Sequence, residues 1–331
     1  MIVQTTFSDI ENAARRRTTK RDAFLREMDE AVPWEALVAL VKPCYYKGER
    51  GRRPVGVERM LRMYFLQLWF NLSDEGVEDA VYDSRAFSEF MGVRFGAGDQ
   101  VPDATTLLKF RRVLEGNGLG ARILERVNEV LEEKGVMMRG GSIVDATFVE
   151  APSSTKNASR SRDPETRQAR KGNNWHFGCK AHVGVDAGSG LARAVEVTPA
   201  NVCDVTVAHA LVREDDSFCY ADAGYVGVEK RPEVAGDPAL SRVEWKVAKR
   251  PGQVKEAREG SLEREIERRK ASVRSKVEHP FLIVKRQFGF ARTRYRGLAK
   301  TANALNVLFA LANVAMWSRA GRPELPAGSP A

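Results

Sequence analysis

The sequence predicts an α/β protein in which an all-α N-terminal region precedes a domain built on a mixed sheet. Apolar residues recur at helical spacing up to about residue 138, and no strand-like run interrupts them. Beyond "GVMMRGG", short β-branched and aromatic runs separated by turn residues predict strands instead. We therefore expect a helical domain over 1–139, a mixed-sheet domain over 140–317 and a flexible tail over 318–331.

Two helices of the N-terminal region begin at recognisable cap residues. Ser73 precedes one of them, and Asp103 in "PDATTLLKFRRVLE" precedes another, whose apolar positions Leu107, Phe110 and Leu114 follow helical spacing. Several short helices joined by small turns indicate a bundle that can include a helix-turn-helix arrangement. We expect a fragment ending near residue 139 to fold as a helical unit and to bind DNA.

The second domain contains five segments of strand character: "SIVDATFVE", "HFGCKAHVGVD", "LARAVEVT", "SFCYADAGY" and "VEWKVAK". The turn "AGSG" joins the second and third segments as a hairpin, and "CDVTVAHALV" is predicted to form a helix before the fourth. Three strands, a helix and further strands in this order describe a mixed α/β sheet.

Composition limits the class of protein. Lys and Arg outnumber Asp and Glu by 53 to 44, a formal charge of +9, which suits a partner made of phosphates. The four cysteines form no C-x-x-C pair, so neither a disulfide framework nor a zinc knuckle is indicated. The longest apolar run, 304–317, is too short to span a bilayer and carries Asn306 and Asn313, which favours a core helix. A cytoplasmic protein without membrane insertion is expected.

Two of the predicted strands end on a carboxylate. Asp145 follows the apolar start of "SIVDATFVE", and Asp222 follows "CYA" just before Gly224. An Asp at such a place is most often a turn or cap residue that bonds its own backbone. Two of them can, however, point at one spot if their strands are neighbours.

A third acid lies in a predicted helix. Arg274, Glu278 and Lys285 are spaced i, i+4 and i+11. In a regular α-helix 11 residues return to within about 20° of the start, so one helical face could carry all three. Pro280 disfavours a helical residue before it, so the helix is expected to kink or begin there. Two Asp at adjacent strand ends and a Glu on a packed helix could hold two divalent ions about 4 Å apart. Carboxylates suit Mg²⁺ and phosphodiester chemistry.

Longer stretches resemble the DDE transposases of the insertion-sequence-five family, from about residue 10 to about 315. The resemblance is carried by "GRRPVGVERMLRMYFLQLWFNLSDEGVEDAVYDS", "GGSIVDATFVEAPSSTKN", "KGNNWHFGCKAHVGVDAGSGL", "ADAGY", "VEHPFLIVKRQFGF" and "RYRGLAK". It implies an RNase H-like catalytic core with Asp145, Asp222 and Glu278 as the metal-binding triad. It also implies Mg²⁺ as the cofactor, with Mn²⁺ as a substitute. The implied partner is double-stranded DNA, both the terminal inverted repeats and the target, and the protein is expected to bind it as a homodimer. The helical domain would recognise the terminal inverted repeats.

The wider group of these transposases carries the signature Tyr-x2-Arg-x3-Glu-x6-Lys. Arg274, Glu278 and Lys285 match it, which implies that the two cations belong to the catalytic centre, but Ala271 stands at the tyrosine position. The triad assignment is unaffected, and the sequence supplies no tyrosine hydroxyl at that place.

Basic residues in several segments are expected to contact DNA. Residues 250–300 carry 15 Lys or Arg against 6 Glu, and "KRQFGFARTRYRGLAK" interleaves cations with aromatic residues. "KGERGRRPVG" is a second basic segment, and the polar, basic "APSSTKN" follows the strand of Asp145. The expected DNA contacts are Arg52, Arg53, Lys109, Arg111, Arg112, Lys156, Arg294 and Arg296.

Two other functions remain open from the sequence. An RNase H-like nuclease that cleaves without strand transfer would share every acid and differ only in its product. A non-enzymatic DNA-binding regulator derived from a transposase would be signalled by loss of an acid, and none of the three is lost.

Overall fold

The helical part of the chain lies before the sheet, and one long helix after the sheet packs against it. The computed structural model describes residues 18–46, 54–95, 99–137, 140–256 and 258–321. The helices before the sheet are α1 (Lys20–Ala31), α2 (Trp34–Val41), α3 (Val57–Trp69), α4 (Asp74–Asp83), α5 (Arg85–Phe90), α6 (Ala104–Gly116) and α7 (Leu119–Glu133).

The sheet domain begins at Gly141. Its strands are β1 (Gly141–Glu150), β2 (Arg167–Lys171), β3 (Asn174–Asp186), β4 (Ala192–Pro199), β5 (Phe218–Ala221) and β6 (Glu244–Val247). Its helices are α8 (Pro232–Ala235), α9 (Pro251–Glu256), α10 (Leu262–Arg274), α11 (Glu278–Leu282) and α12 (Leu298–Arg319).

The predicted caps of two helices are confirmed. Ser73 Oγ accepts a hydrogen bond from the amide of Gly76 at 3.0 Å, and Asp103 Oδ1 accepts one from the amide of Thr106 at 2.6 Å. Each bond satisfies an amide that the first turn leaves free, a contribution of about 1 kcal/mol.

The sheet is mixed, as predicted. β3 pairs antiparallel with β1 on one side, and with β2 and β4 along successive halves of its other side. β1 pairs parallel with β5, and β5 pairs parallel with β6. The sheet thus runs β4-β3-β1-β5-β6, with β2 continuing the edge beyond β4.

The hydrophobic core is continuous across the boundary between the helical region and the sheet. Residues from Leu25 to Trp317 contribute to it, and α12 lies in its centre. Asn303 Oδ1 of α12 accepts from the Gly120 amide at 2.9 Å, and Asn313 Nδ2 donates to Asn128 Oδ1 of α7 at 2.8 Å. A fragment that ends near 139 would lack α12 and expose the face of α7 that this helix covers, contrary to the independent folding expected from sequence.

α12 is the long apolar helix that the sequence places in the core. Within the described residues it is the one helix whose length and composition would suit a membrane span, but 78% of its apolar window is buried inside the protein. Asn313, which interrupts the run, is fully buried and hydrogen-bonded to the Ala192 amide at 2.8 Å. Its amide therefore links the helix to β4.

Two local predictions differ from the structure. "CDVTVAHALV" forms the short 3₁₀ turns Asp204–Thr206 and Ala208–Ala210 instead of an α-helix. The β-branched residues at 205–207 lower helix propensity, which agrees with this outcome. β2, with the sequence "RQARK", has no apolar alternation and was not predicted as a strand. It is held by its main-chain pairing with β3.

Candidate active site

Two neighbouring strands place Asp145 and Asp222 side by side. The parallel pairing of β1 and β5 aligns Ser142 with Cys219 and Ile143 with Tyr220. Asp145 lies two positions further along β1, and Asp222 lies two positions beyond Tyr220 in the extended residue that follows β5. Both therefore lie on the same face of the sheet. The expected adjacency of their strands is therefore present.

The third acid stands at an irregular point of the helix that crosses this face. α10 ends at Arg274, a 3₁₀ turn spans Ser275–Val277, and α11 begins at Glu278 and continues into the π turn Ile283–Gln287. The geometry changes just before Pro280, as its missing N–H predicts. Because Val277 and Phe281 are buried in the core, the helix is anchored there and leaves Glu278 exposed between them.

Asp145 lies in a largely buried position beside Arg274. Its side chain is 16% exposed, Oδ1 accepts from the Ala146 amide at 2.7 Å, and Oδ2 lies 3.7 Å from the Arg274 guanidinium. Its pKa is raised to about 6, and burial is the largest cause. The charges of Asp222 and Glu278 also raise this pKa, whereas the Ala146 hydrogen bond and Arg274 lower it. The three carboxylates therefore interact, and one guanidinium compensates only part of their charge.

Lys285 lies on the other side of Glu278 from Arg274. Its side chain is partly buried, which lowers its pKa, and the nearby charge of Lys171 lowers it further. Glu150 and Glu278 act in the opposite direction. The expected break near Pro280 is present, with 3₁₀ and π turns on either side of α11, and both predicted cations lie within electrostatic range of the acids.

The donor chemistry of this face fits a hard divalent cation. Among the residues that the structure describes, no three His, Cys, Asp or Glu side chains lie close enough together to enclose a single ion. Mg²⁺ needs no such cage, because it commonly takes one or two carboxylates and fills its shell with water and phosphate oxygens. Asp145 and Asp222 offer such a pair, and Glu278 faces them.

A second polar cluster lies on the opposite face of the sheet. Lys180 Nζ lies 2.9 Å from Asp204 Oδ1, and the buried His182 bonds Thr198 at 2.8 Å. Burial lowers the pKa of His182 to about 4. Cys179 faces the other way into the core, so Cys179 and His182 cannot share a zinc ion, as expected for a C-x-x-H spacing in a strand.

Arg111 was expected to contact DNA, but the structure places it in the interior. It is 5% exposed, and its guanidinium forms a two-pronged pair with Asp74 and donates to Gln67 Oε1 at 2.8 Å. These bonds occupy the groups that a phosphate would need. The spacing of Arg111 from Leu107 and Leu114 places it on the buried face of α6, a signal that the sequence already contained.

The other expected contacts are exposed where the structure describes them. Lys109 and Arg112 lie on the open side of α6, and Lys156 lies in the segment after β1. Arg294 donates to the Asn71 carbonyl at 2.7 Å, and Arg296 donates to Ser159 and Ser161. Arg52 and Arg53 lie outside the described residues.

A buried ionic network near the start of β1 was not predicted. Arg193 bonds Asp186 and, at 3.0 Å, Asp216, whose other oxygen accepts from Ser142. The Arg193 side chain is 4% exposed and both carboxylates are nearly inaccessible. An arginine between apolar residues in "LARAVEV" was the available signal. The network ties the β3–β4 hairpin to the segment that precedes β5.

The sheet order, with β4-β3-β1 antiparallel and β1-β5-β6 parallel, is consistent with an RNase H-like core, a class of nucleic-acid-processing folds. The Transposase DDE domain family matches residues 137–314, more than half of the chain, and the protein belongs to this family. A second profile, described as Transposase domain (DUF772), matches residues 12–113. No solved structure matches the chain. The protein is a DNA transposase of the DDE type.

Proposed function

We propose that the protein is the transposase of an insertion sequence of the insertion-sequence-five family. It binds the terminal inverted repeats of its element, cleaves the DNA and joins the 3′ ends to target DNA. The observation that carries this proposal is the placement of Asp145 and Asp222 at equivalent positions of parallel neighbouring strands, faced by Glu278.

Asp145, Asp222 and Glu278 would hold Mg²⁺, which when bound activates a water or a 3′-hydroxyl and stabilises the leaving oxygen of an in-line displacement. The protein contributes the position of these carboxylates. The strand pairing fixes the two Asp, and the buried Val277 and Phe281 fix the helix that carries Glu278.

Arg274 and Lys285 supply positive charge on either side of Glu278. Arg274 lies 3.7 Å from Asp145, too far for a hydrogen bond, so its planar group remains able to grip a phosphate by two parallel bonds. Lys285 offers a point charge that burial leaves poorly solvated. Both positive charges would attract the phosphate groups of DNA strands that pass beside the acids.

A strand-cleavage assay tests whether the three acids are needed for catalysis. Singly changing Asp145, Asp222 or Glu278 to Ala should abolish nicking of a duplex that carries the DNA flanking the reading frame. Binding of that duplex should change little, since catalysis here is positioning and charge stabilisation. Glu214→Ala is the matched control, because this acid is exposed in the turn before β5, at the other end of that strand from Asp222.

The products distinguish a transposase from a nuclease. Wild type should yield DNA in which the cleaved 3′ end is joined to a labelled target. Cleavage without any joined product would favour an RNase H-like nuclease, and wild-type nicking by one of the three Ala variants would remove that acid from the site.

A further inference from the structure

The β2–β3 hairpin extends beyond the part of the sheet that β1 covers. The pairing of β1 with β3 ends at Glu150 and Gly178, whereas β2 continues with β3 to the pair Lys171–Asn174. Gly172 has a φ of +60° at the first position of the two-residue turn, a conformation that glycine adopts without strain. The hairpin, residues 167–177, is therefore a two-stranded arm.

The arm exposes a large aromatic side chain on the face of the acids. Trp175 is 62% exposed. Residues of β3 alternate between faces, so Trp175 shares its face with Val183, which is the register partner of Asp145. The eight residues from Trp175 to Val183 span roughly 26 Å at about 3.3 Å per residue. That length corresponds to roughly eight nucleotides of a strand that stays stacked at about 3.4 Å per nucleotide.

The arm is also uniformly cationic. No acidic residue occurs between Thr166 and Phe177, where Arg167, Arg170 and Lys171 are all exposed. Arg170 is the register partner of Trp175, and its guanidinium bonds the turn at the Gly172 carbonyl, 2.9 Å away. Lys285 interacts electrostatically both with Lys171 of the arm and with Glu278. Positive charge therefore continues from the arm to the acids.

We propose that this arm binds DNA, with Trp175 stacked on an unpaired base about eight nucleotides from the scissile phosphate and Arg170 and Lys171 beside the backbone. An unpaired base is the ligand because only an unstacked base presents a free aromatic face to the indole, and the cations match its phosphates. The inference rests on the proposed DNA-processing function and adds a binding subsite to it.

A forked duplex with one single-stranded arm tests this subsite. 2-Aminopurine is placed at successive positions of the arm, and binding is followed by its fluorescence and by anisotropy, with EDTA present to prevent cleavage. Wild type should quench the probe most strongly near the eighth nucleotide. Since stacking on an aromatic residue is worth about 1–3 kcal/mol, Trp175→Ala should weaken fork binding about 5- to 150-fold.

Three comparisons make the result decisive. Trp175→Phe should retain most of the affinity, and Tyr82→Ala, which removes another exposed aromatic residue, should leave binding unchanged. A fully paired duplex should show little loss with Trp175→Ala. Equal fork binding by wild type and Trp175→Ala would overturn the subsite alone, whereas failure of wild type to bind any DNA would overturn the proposed function. A lower sedimentation mass of free Trp175→Ala, with unchanged fork binding, would assign the indole to a protein interface instead.

Discussion

Replacing Asp145 by Asn should stabilise the metal-free protein above pH 6. The carboxyl is 16% exposed, and its burial, together with Asp222 and Glu278, raises its pKa from 3.8 to about 6. The Ala146 amide and Arg274 offset only part of this effect. The folded protein therefore keeps a proton on Asp145 at pH values where the unfolded chain has released it.

The size and sign of the effect follow from the two pKa values. Between pH 3.8 and 6 the folded state binds more protons than the unfolded state, so stability falls as the pH rises through this window. A difference of about two pKa units corresponds to about 3 kcal/mol. This contribution is fully present below pH 3.8 and lost above 6. Asn keeps the neutral form and the acceptor for Ala146 at every pH.

Urea unfolding in EDTA at pH 4, 6 and 8 measures the difference. At pH 4 the Asn variant and wild type should have similar free energies of unfolding. At pH 8 the free energy of unfolding of the variant should be greater by up to about 3 kcal/mol. Asp79→Asn, an exposed position on α4, controls for the loss of one negative charge. Equal stability of wild type and Asp145→Asn at pH 8 would refute the reasoning. Added Mg²⁺ should stabilise wild type more than the variant.

Three further changes test other parts of the structure. Arg193→Ala leaves Asp186 and Asp216 as buried unpaired charges, so we expect a loss of about 3–5 kcal/mol in urea unfolding, and a loss below 1 kcal/mol would contradict the network. Arg274→Ala should impair strand joining but leave melting temperature unchanged, and Arg274→Lys should rescue poorly if the contact is two-pronged. Gly120→Ala would place a Cβ 2.6 Å from a carbonyl oxygen of α12, so we expect a loss of about 1–3 kcal/mol, measured by thermal unfolding.

Structural features that depend on a few neighbouring residues, such as helix caps and strands, could be predicted from the sequence. The caps at Ser73 and Asp103 depend on one side chain and the amide three residues later. The five predicted strands combine β-branched content with turn residues at their ends, and all five form. Of the two acids expected at strand ends, Asp222 does follow β5, whereas Asp145 lies within β1, which continues to Glu150. That these strands are parallel neighbours depends on chain pairing, which no local pattern encodes.

Features that depend on tertiary context were missed. β2 has no apolar face, and its side chains remain largely in solvent. It forms because its partner β3 supplies its main-chain hydrogen bonds. Arg111 was assigned to DNA from its charge, although its spacing along α6 places it toward Asp74 in the interior. The break just before Pro280 was expected, whereas the π turn Ile283–Gln287 that follows it has no signal in the sequence pattern.

The position of α12 has a consequence for synthesis of the protein. This helix, Leu298–Arg319, packs against α7 and β4, yet a ribosome makes it after every other described helix and strand. Until it emerges, the apolar faces of both partners remain open to water and to other nascent chains. A message truncated before the codon for Leu298 would therefore yield a polypeptide with an uncovered interior, prone to aggregation and degradation, rather than a partial DNA-binding competitor of the intact enzyme.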